Sequence, residues 1–203
     1  MLKLEERMEL VREINKIPDD IFNDLKRVIK DKSKITTQTL AGNIEEEYSL
    51  NNYIDLLEPY LLEQIFNDKV LVKFLKSFKT NSHNKPLSLK ALWVNYQKKH
   101  EFNPMHDHTG VFSFIIFVKI PYLMEDQKKI SPGKNSNQDL AANVQFMYLN
   151  EMGKIKFIEF PVDKTWEQKM LIFPADLHHA VYPFYGVDEE RITVSGNFVF
   201  NVK

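Results

Sequence analysis

The sequence has no cysteine, which removes disulfides, thiolate metal sites and a cysteine nucleophile, and favours a reducing, intracellular setting. It has no run approaching the ~18 apolar residues of a membrane span, and its N-terminus is charged where a signal peptide would be apolar. The expected location is therefore the cytoplasm. Neither charge is in excess: 27 basic residues face 28 acidic ones, and no lysine stretch is long enough to make a nucleic-acid stripe. Arginine is scarce. The 27 basic residues include only four arginines, and Arg191 is the only one after Arg27.

What the chain does have is apolar and aromatic content, at 43% and 12% of 203 residues, enough for the core of one domain. It also has two histidine clusters, His106-Asp107-His108 and His178-His179. The first ends Glu101-Phe-Asn-Pro-Met-His-Asp-His-Thr-Gly110, just before Val111-Phe-Ser-Phe-Ile-Ile-Phe-Val-Lys-Ile120, a β-branched and aromatic run that reads as a buried strand. In an extended segment side chains alternate, so His106 and His108 project to one side and Asp107 to the other, and two imidazoles can reach one cation. The second cluster follows an apolar strand and a Pro-Ala-Asp turn signal in Leu171-Ile-Phe-Pro-Ala-Asp-Leu-His-His-Ala-Val181. There His179 is the better third ligand and His178 a neighbour. A chain that otherwise chooses lysine places Arg191 at the start of a last strand, Arg191-Ile-Thr-Val-Ser-Gly-Asn-Phe-Val-Phe200. A guanidinium binds a carboxylate bidentately in a fixed plane, so Arg191 is expected to hold an acid.

In this order and spacing the residues resemble the iron(II)- and 2-oxoglutarate-dependent oxygenases, whose pattern is His-x-Asp/Glu, a distal His and an Arg ten to twelve residues further on. A closer resemblance is to a branch common in marine phage genomes, carried by Trp93-Val-Asn-Tyr-Gln97, Glu101-Phe-Asn-Pro104, His108-Thr-Gly110, Arg191-Ile-Thr-Val-Ser-Gly-Asn197 and Leu40-Ala-Gly-Asn-Ile-Glu-Glu-Glu-Tyr-Ser-Leu50. It spans roughly residues 38–203 and is strongest over 93–118 and 171–198. The resemblance implies a mainly β fold, a double-stranded β-helix (jelly roll, cupin-like) with helices packed outside. It also implies Fe(II) and the co-substrate 2-oxoglutarate, which is converted with O2 to succinate and CO2 while a substrate is hydroxylated.

Carried over by position, His106 and His179 are iron ligands, His108 stands where the family has its carboxylate, and Arg191 grips the distal carboxylate of 2-oxoglutarate. Tyr96 matches a position that contacts the co-substrate. Two departures stand out. Three imidazoles bring no ligand charge and suit Zn, Ni and Cu as well as Fe. Phe117 replaces a tyrosine that many relatives place there, so its hydrogen bond is expected from Ser113, Thr193 or Asn197. Two alternatives stay open: a cupin-like three-His metalloprotein without 2-oxoglutarate, which gives Arg191 no carboxylate to bind, or a non-catalytic module with a structural metal site.

The pattern predicts a single domain, residues 1–203, with a mainly helical part over 1–86 and a jelly-roll core over 87–203. Amphipathic helices are expected at 4–15, at 19–31 with Asp19 or Asp20 as cap, and at 53–79. Strands are expected at about 87–97, 111–120, 143–149, 154–160, 166–173 and 190–201. The polar segment 124–142 reads as a mobile lid that decides the substrate. The aromatics Trp93, Phe112, Phe114 and Phe117 read as packing, and His83 and His100 as solvated. No membrane or nucleic-acid partner is indicated, and a homodimer is left open.

Overall fold

The computed structural model describes residues 9–36, 40–78 and 87–201. Among these residues ten strands build two antiparallel sheets. In chain order they are β1 (Arg12–Ile14), β2 (Glu46–Ser49), β3 (Leu87–Gln97), β4 (Asn103–His106), β5 (Phe112–Lys119), β6 (Asn143–Leu149), β7 (Ile155–Pro161), β8 (Met170–Pro174), β9 (His179–Val181) and β10 (Arg191–Phe200). The major sheet runs β1-β8-β5-β10-β3-β2 and the minor sheet β4-β9-β6-β7. Two sheets facing one another in this way make the expected jelly-roll architecture.

The period of two decides what each side of the major sheet meets. Along β5, Phe112, Phe114, Ile116 and Val118 face an apolar layer shared with the helices. The intervening Ile115 and Phe117 join Val144, Phe146, Leu171 and Phe173 in a second layer between the sheets. Both faces of β5 are covered, which is why its sequence reads as a continuous apolar run. The helical cover is α1 (Asp19–Val28), α2 (Ile54–Asn67) and α3 (Lys69–Ser77), with Phe22, Leu25, Leu57, Leu61, Ile65 and Leu71 turned into the first layer. A fourth helix, α4 (Met124–Ile130), lies elsewhere in the chain. Among the described residues no helix is long and apolar enough to cross a membrane.

The N-terminal part adds two short strands to its helices. It supplies both edges of the major sheet, β1 against β8 and β2 against β3, where residues 12–14 were expected to be helical. Ladder bonds from Arg12–Ile14 to Met170–Ile172 outweigh a weak local helical period, and residues 4–8 lie outside the described residues. The N-cap of α1 is Pro18, and the expected caps Asp19 and Asp20 lie in its first turn instead. The helix expected over 53–79 breaks at Asp68, whose carboxylate accepts from Val70 N at 2.8 Å and Leu71 N at 3.2 Å and so caps α3. Arg12 Nε donates to the same carboxylate at 2.6 Å, which ties β1 to the helices. The strand expected at 166–173 begins only at Met170, after a turn over Lys164–Trp166. His83 lies outside the described residues.

The segment 124–142 is tied down. The buried Gln127 donates to Tyr185 O at 2.9 Å and accepts from Tyr185 N at 2.8 Å, and Ser131 Oγ donates to the Asp139 carboxylate at 2.7 Å. Its polarity reflects these bonds rather than a lid.

Gly110 sits between His108 and β5 with φ of +132°, and a Cβ there would stand 2.5 Å from Phe198 O. Both the backbone region and the space demand glycine. Gly110→Ala is expected to lower stability by about 2–3 kcal/mol in urea denaturation; a loss under about 0.5 kcal/mol would show that the approach to β10 relaxes freely.

Candidate metal centre

His106 closes β4 and pairs in register with His179, which opens β9; His179 is in turn opposite Phe146 on β6. His108 lies two residues past β4, where its backbone N–H donates to Ala175 O at 2.8 Å. The three rings face one another, with centroids 4.3 Å apart for His106 and His179, 4.9 Å for His106 and His108, and 5.1 Å for His108 and His179. One nitrogen from each lies within 4.8 Å of the others. Two nitrogens held by one ion at about 2.1 Å lie at most about 4.2 Å apart, so small ring rotations would let the three grip a cation.

The nitrogens that face inward are set by what the others touch. His106 Nδ1 donates to Pro104 O at 2.7 Å and His179 Nδ1 to Leu177 O at 3.0 Å, leaving each Nε2 with a free lone pair. His179 is buried, stacked on Phe146 and edged by Phe173. His178 and Asp107 lie on the outer side, half exposed and 3.8 Å from one another. Desolvation, with repulsion from the neighbouring imidazoles, lowers the His108 pKa to about 4 and that of His179 well below its ordinary value, and desolvation lowers His106. All three are neutral near pH 7, the form that binds a metal.

Arg191 lines the same cavity as the three histidines and is 1% exposed. Its Nε and Nη2 donate to Gln97 Oε1 at 3.0 and 2.5 Å, Nη1 to Tyr122 OH at 2.9 Å and Ala142 O at 3.5 Å, and Nη2 to Tyr182 O at 3.2 Å. Every one of these acceptors is neutral. Among the described residues no carboxylate pairs with it: Asp188 pairs with Lys99, and Glu159 accepts from Gln145. A buried charge without a counter-ion costs several kcal/mol.

The remaining predicted residues divide by strand face. Thr193 lines the cavity, with its Oγ1 accepting from Asn95 Nδ2 at 3.3 Å. Ser113 Oγ donates to Asn197 Oδ1 at 2.7 Å; the two satisfy each other and neither is among the lining residues. Tyr96 is turned the other way, its ring in the helix-side layer and its hydroxyl donating to Ile29 O. On β3 the cavity is lined instead by Trp93, Asn95 and Gln97. Trp93, 5.8 Å from the His108 ring, and Phe114 and Phe117 also line it, while Phe112 is core. The cavity is open to solvent on one side, and no residue of 124–142 lines it. Its wall comes from Leu40–Ile44 and Glu47, a segment that bridges the sheets by pairing Asn43 with Phe102 and β2 with β3.

Residues 91–197 match the sequence profile of a family described as "Putative 2OG-Fe(II) oxygenase". The chain belongs to this family. Its cofactor and co-substrate are Fe(II) and 2-oxoglutarate. No curated protein matches the sequence. Among solved structures, a prolyl-4-hydroxylase from Pseudomonas putida is similar at a TM-score of 0.54 and 12% identity, over 95% of this chain and 93% of the other. The protein HygX from Streptomyces hygroscopicus, solved with nickel and 2-oxoglutarate, is similar at 0.51 and 9%, over 98% and 87%. The non-heme α-ketoglutarate-dependent epimerase SnoN, from nogalamycin biosynthesis, is similar at 0.52 and 10%, over 97% and 81%. At these identities the likeness is one of fold.

The lowered histidine pKa values give the metal-free protein a defined acid response. An unfolded imidazole titrates near 6.5, so between there and about 4 the unfolded chain binds more protons at these positions and stability is lost as pH falls, by about 1.4 kcal/mol per unit for each proton of difference. Glu47, raised to about 7 by burial and by Glu101, works in the opposite direction but is one group against three. The urea midpoint of metal-free protein is expected to fall from pH 6.5 to 4.5, and His108→Gln to flatten that fall by about one proton; an unchanged slope would mean that His108 is hydrated.

Proposed function

We propose that this protein is an Fe(II)- and 2-oxoglutarate-dependent dioxygenase that hydroxylates a substrate C–H bond, with a three-His metal site in place of the family's two His and one carboxylate. His106, His108 and His179 are the ligands. Arg191 takes the distal carboxylate of 2-oxoglutarate, and Thr193 is positioned to donate a hydrogen bond to it. The observation that carries the reading is the buried guanidinium, without a carboxylate partner among the described residues, lining one cavity with three neutral imidazoles. Bound there, iron and 2-oxoglutarate supply the oxidising power for C–H hydroxylation, consuming O2 and releasing succinate and CO2.

The chain's own part is positioning. Gln97 orients the guanidinium through Oε1 and is itself fixed by donating from Nε2 to Glu101 O at 2.5 Å. Tyr122, whose pKa burial raises, stays a neutral phenol beside Arg191. A carboxylate arriving at Nη1 displaces most cheaply the longest of the existing bonds, the 3.5 Å contact to Ala142 O. Phe146 and Phe173 exclude water from His179. Three imidazoles leave a divalent ion its full charge, and the two negative charges of 2-oxoglutarate offset it. Tyr96, Ser113 and Asn197 are given no role in co-substrate binding. The cupin-like alternative leaves the charge of Arg191 without a purpose.

Calorimetry on Ni(II)-loaded protein tests the assignment. Arg191→Ala is expected to weaken 2-oxoglutarate binding by at least about 100-fold, the ~3 kcal/mol scale of a buried charge-assisted pair, with one metal still bound. Arg191→Lys keeps the charge but not the fork and should fall between. Unchanged affinity in Arg191→Ala would remove the co-substrate role. Metal content separates the two adjacent histidines: His179→Ala is expected to lose the ion and His178→Ala to keep it, and the reverse would reassign the distal ligand.

A further inference from the structure

The cavity has a second polar lining that co-substrate binding does not use. Glu47 on β2 stands opposite Asn95 on β3, and Asn103 opens β4 on the other sheet; all three line the cavity. Asn95 is 5% exposed, and with its NH2 on Thr193 its Oδ1 is buried without a partner, as is Asn103 Oδ1. A buried acceptor left unpaired is costly and calls for a donor. Gly42 closes the wall over these groups. A Cβ on it would stand 2.4 Å from Asn103 Oδ1 and 3.1 Å from Glu47 Oε1, so the bare glycine lets both side chains pack close against the wall.

We infer that this part of the cavity is the prime-substrate subsite and that it takes a protonated amine or a guanidinium, donating to Asn95 Oδ1, Asn103 Oδ1 and the Glu47 carboxylate. Glu47 is then the residue that selects for charge. The inference rests on the oxygenase reading for the term substrate, though not for the binding itself. An ammonium offers three donors and a guanidinium five, with no acceptor on either, which matches a lining of acceptor oxygens better than a hydroxyl or a carboxylate does. Among the described lining residues Glu47 is also the only carboxylate. Burial raises its pKa to about 7, with the Glu101 carboxylate adding to the shift, and a cation seated against it relieves both causes. The cationic group could belong to a small amine or to a lysine or arginine side chain.

Protein loaded with Ni(II) and 2-oxoglutarate is titrated with butylammonium, butanol and butyrate, and with capped Gly-Lys-Gly and Gly-Arg-Gly peptides, following tryptophan fluorescence because Trp93 lines the cavity. At least one cationic probe is expected to bind about tenfold more tightly than butanol, and butyrate more weakly still. Tightest binding by butylammonium points to a free amine, and by a peptide to a side chain. Glu47→Gln should abolish the preference for cations while leaving 2-oxoglutarate affinity unchanged, which also shows that the variant is folded. If that variant does not fold, Asn103→Ala should weaken the best cation about fivefold. Equal binding of butanol, no binding of any cation, a preference kept in Glu47→Gln, or unchanged cation affinity in Asn103→Ala would each overturn the inference. Loss of 2-oxoglutarate binding by the wild type, with cations still bound, would instead overturn the oxygenase reading and leave the subsite standing.

Discussion

The Arg191 guanidinium is a full charge held 1% exposed among neutral acceptors, and much of the surrounding structure serves to keep it there. Gln97, Tyr122 and the carbonyls of Ala142 and Tyr182 come from four parts of the chain and converge on one side chain. Such a network satisfies the donors but leaves the charge uncompensated in a low-dielectric surrounding. A fold that pays this cost keeps a strong local preference for an anion, in the same cavity as three imidazoles that bring no charge of their own.

The jelly roll gives that preference its geometry. β10 carries Arg191 and Thr193 at the centre of the major sheet, between β5 and β3, so Thr193 is fixed by ladders on two sides and Arg191 by its pairing with Gln97. The histidines lie on the minor sheet and on the loop that leaves it, with two of them in direct register across β4 and β9. Sites built on paired strands hold their side chains more closely than sites on loops. The bridge at residues 40–47 closes the cavity on the side between β3 and β4.

Much of this was legible in the sequence because it rests on short-range rules. The alternation that puts His106 and His108 on one side and Asp107 on the other is a property of any extended segment, and the scarcity of arginine made Arg191 conspicuous. The central strands announced themselves by unbroken apolar runs. Other features depend on distant partners and left no such trace. Residues 12–14 form a strand only because β8 offers an open edge, and Gln97 and Tyr122 matter only because Arg191 reaches them. Tyr96 and Gln97 sit next to one another on β3, and which of them faces the cavity depends on the strand's parity, which the sequence of that strand did not reveal. The polarity of 124–142 suggests a lid, yet Gln127 is polar because it pairs with the backbone of Tyr185; the wall nearer the histidines is residues 40–47, whose place depends on the distant pairing of Asn43 with Phe102.

The central claim is that one cavity binds a metal on three imidazoles and 2-oxoglutarate across to Arg191. Anaerobic titration of the metal-free protein with Fe(II) and then 2-oxoglutarate tests it most directly, because chelation of the 2-oxo acid by ferrous ion produces a weak visible charge-transfer band that neither component gives alone. The account predicts a band that appears only after both are added and saturates at one equivalent of each. Ferrous ion bound at one equivalent with no band at saturating 2-oxoglutarate would contradict it.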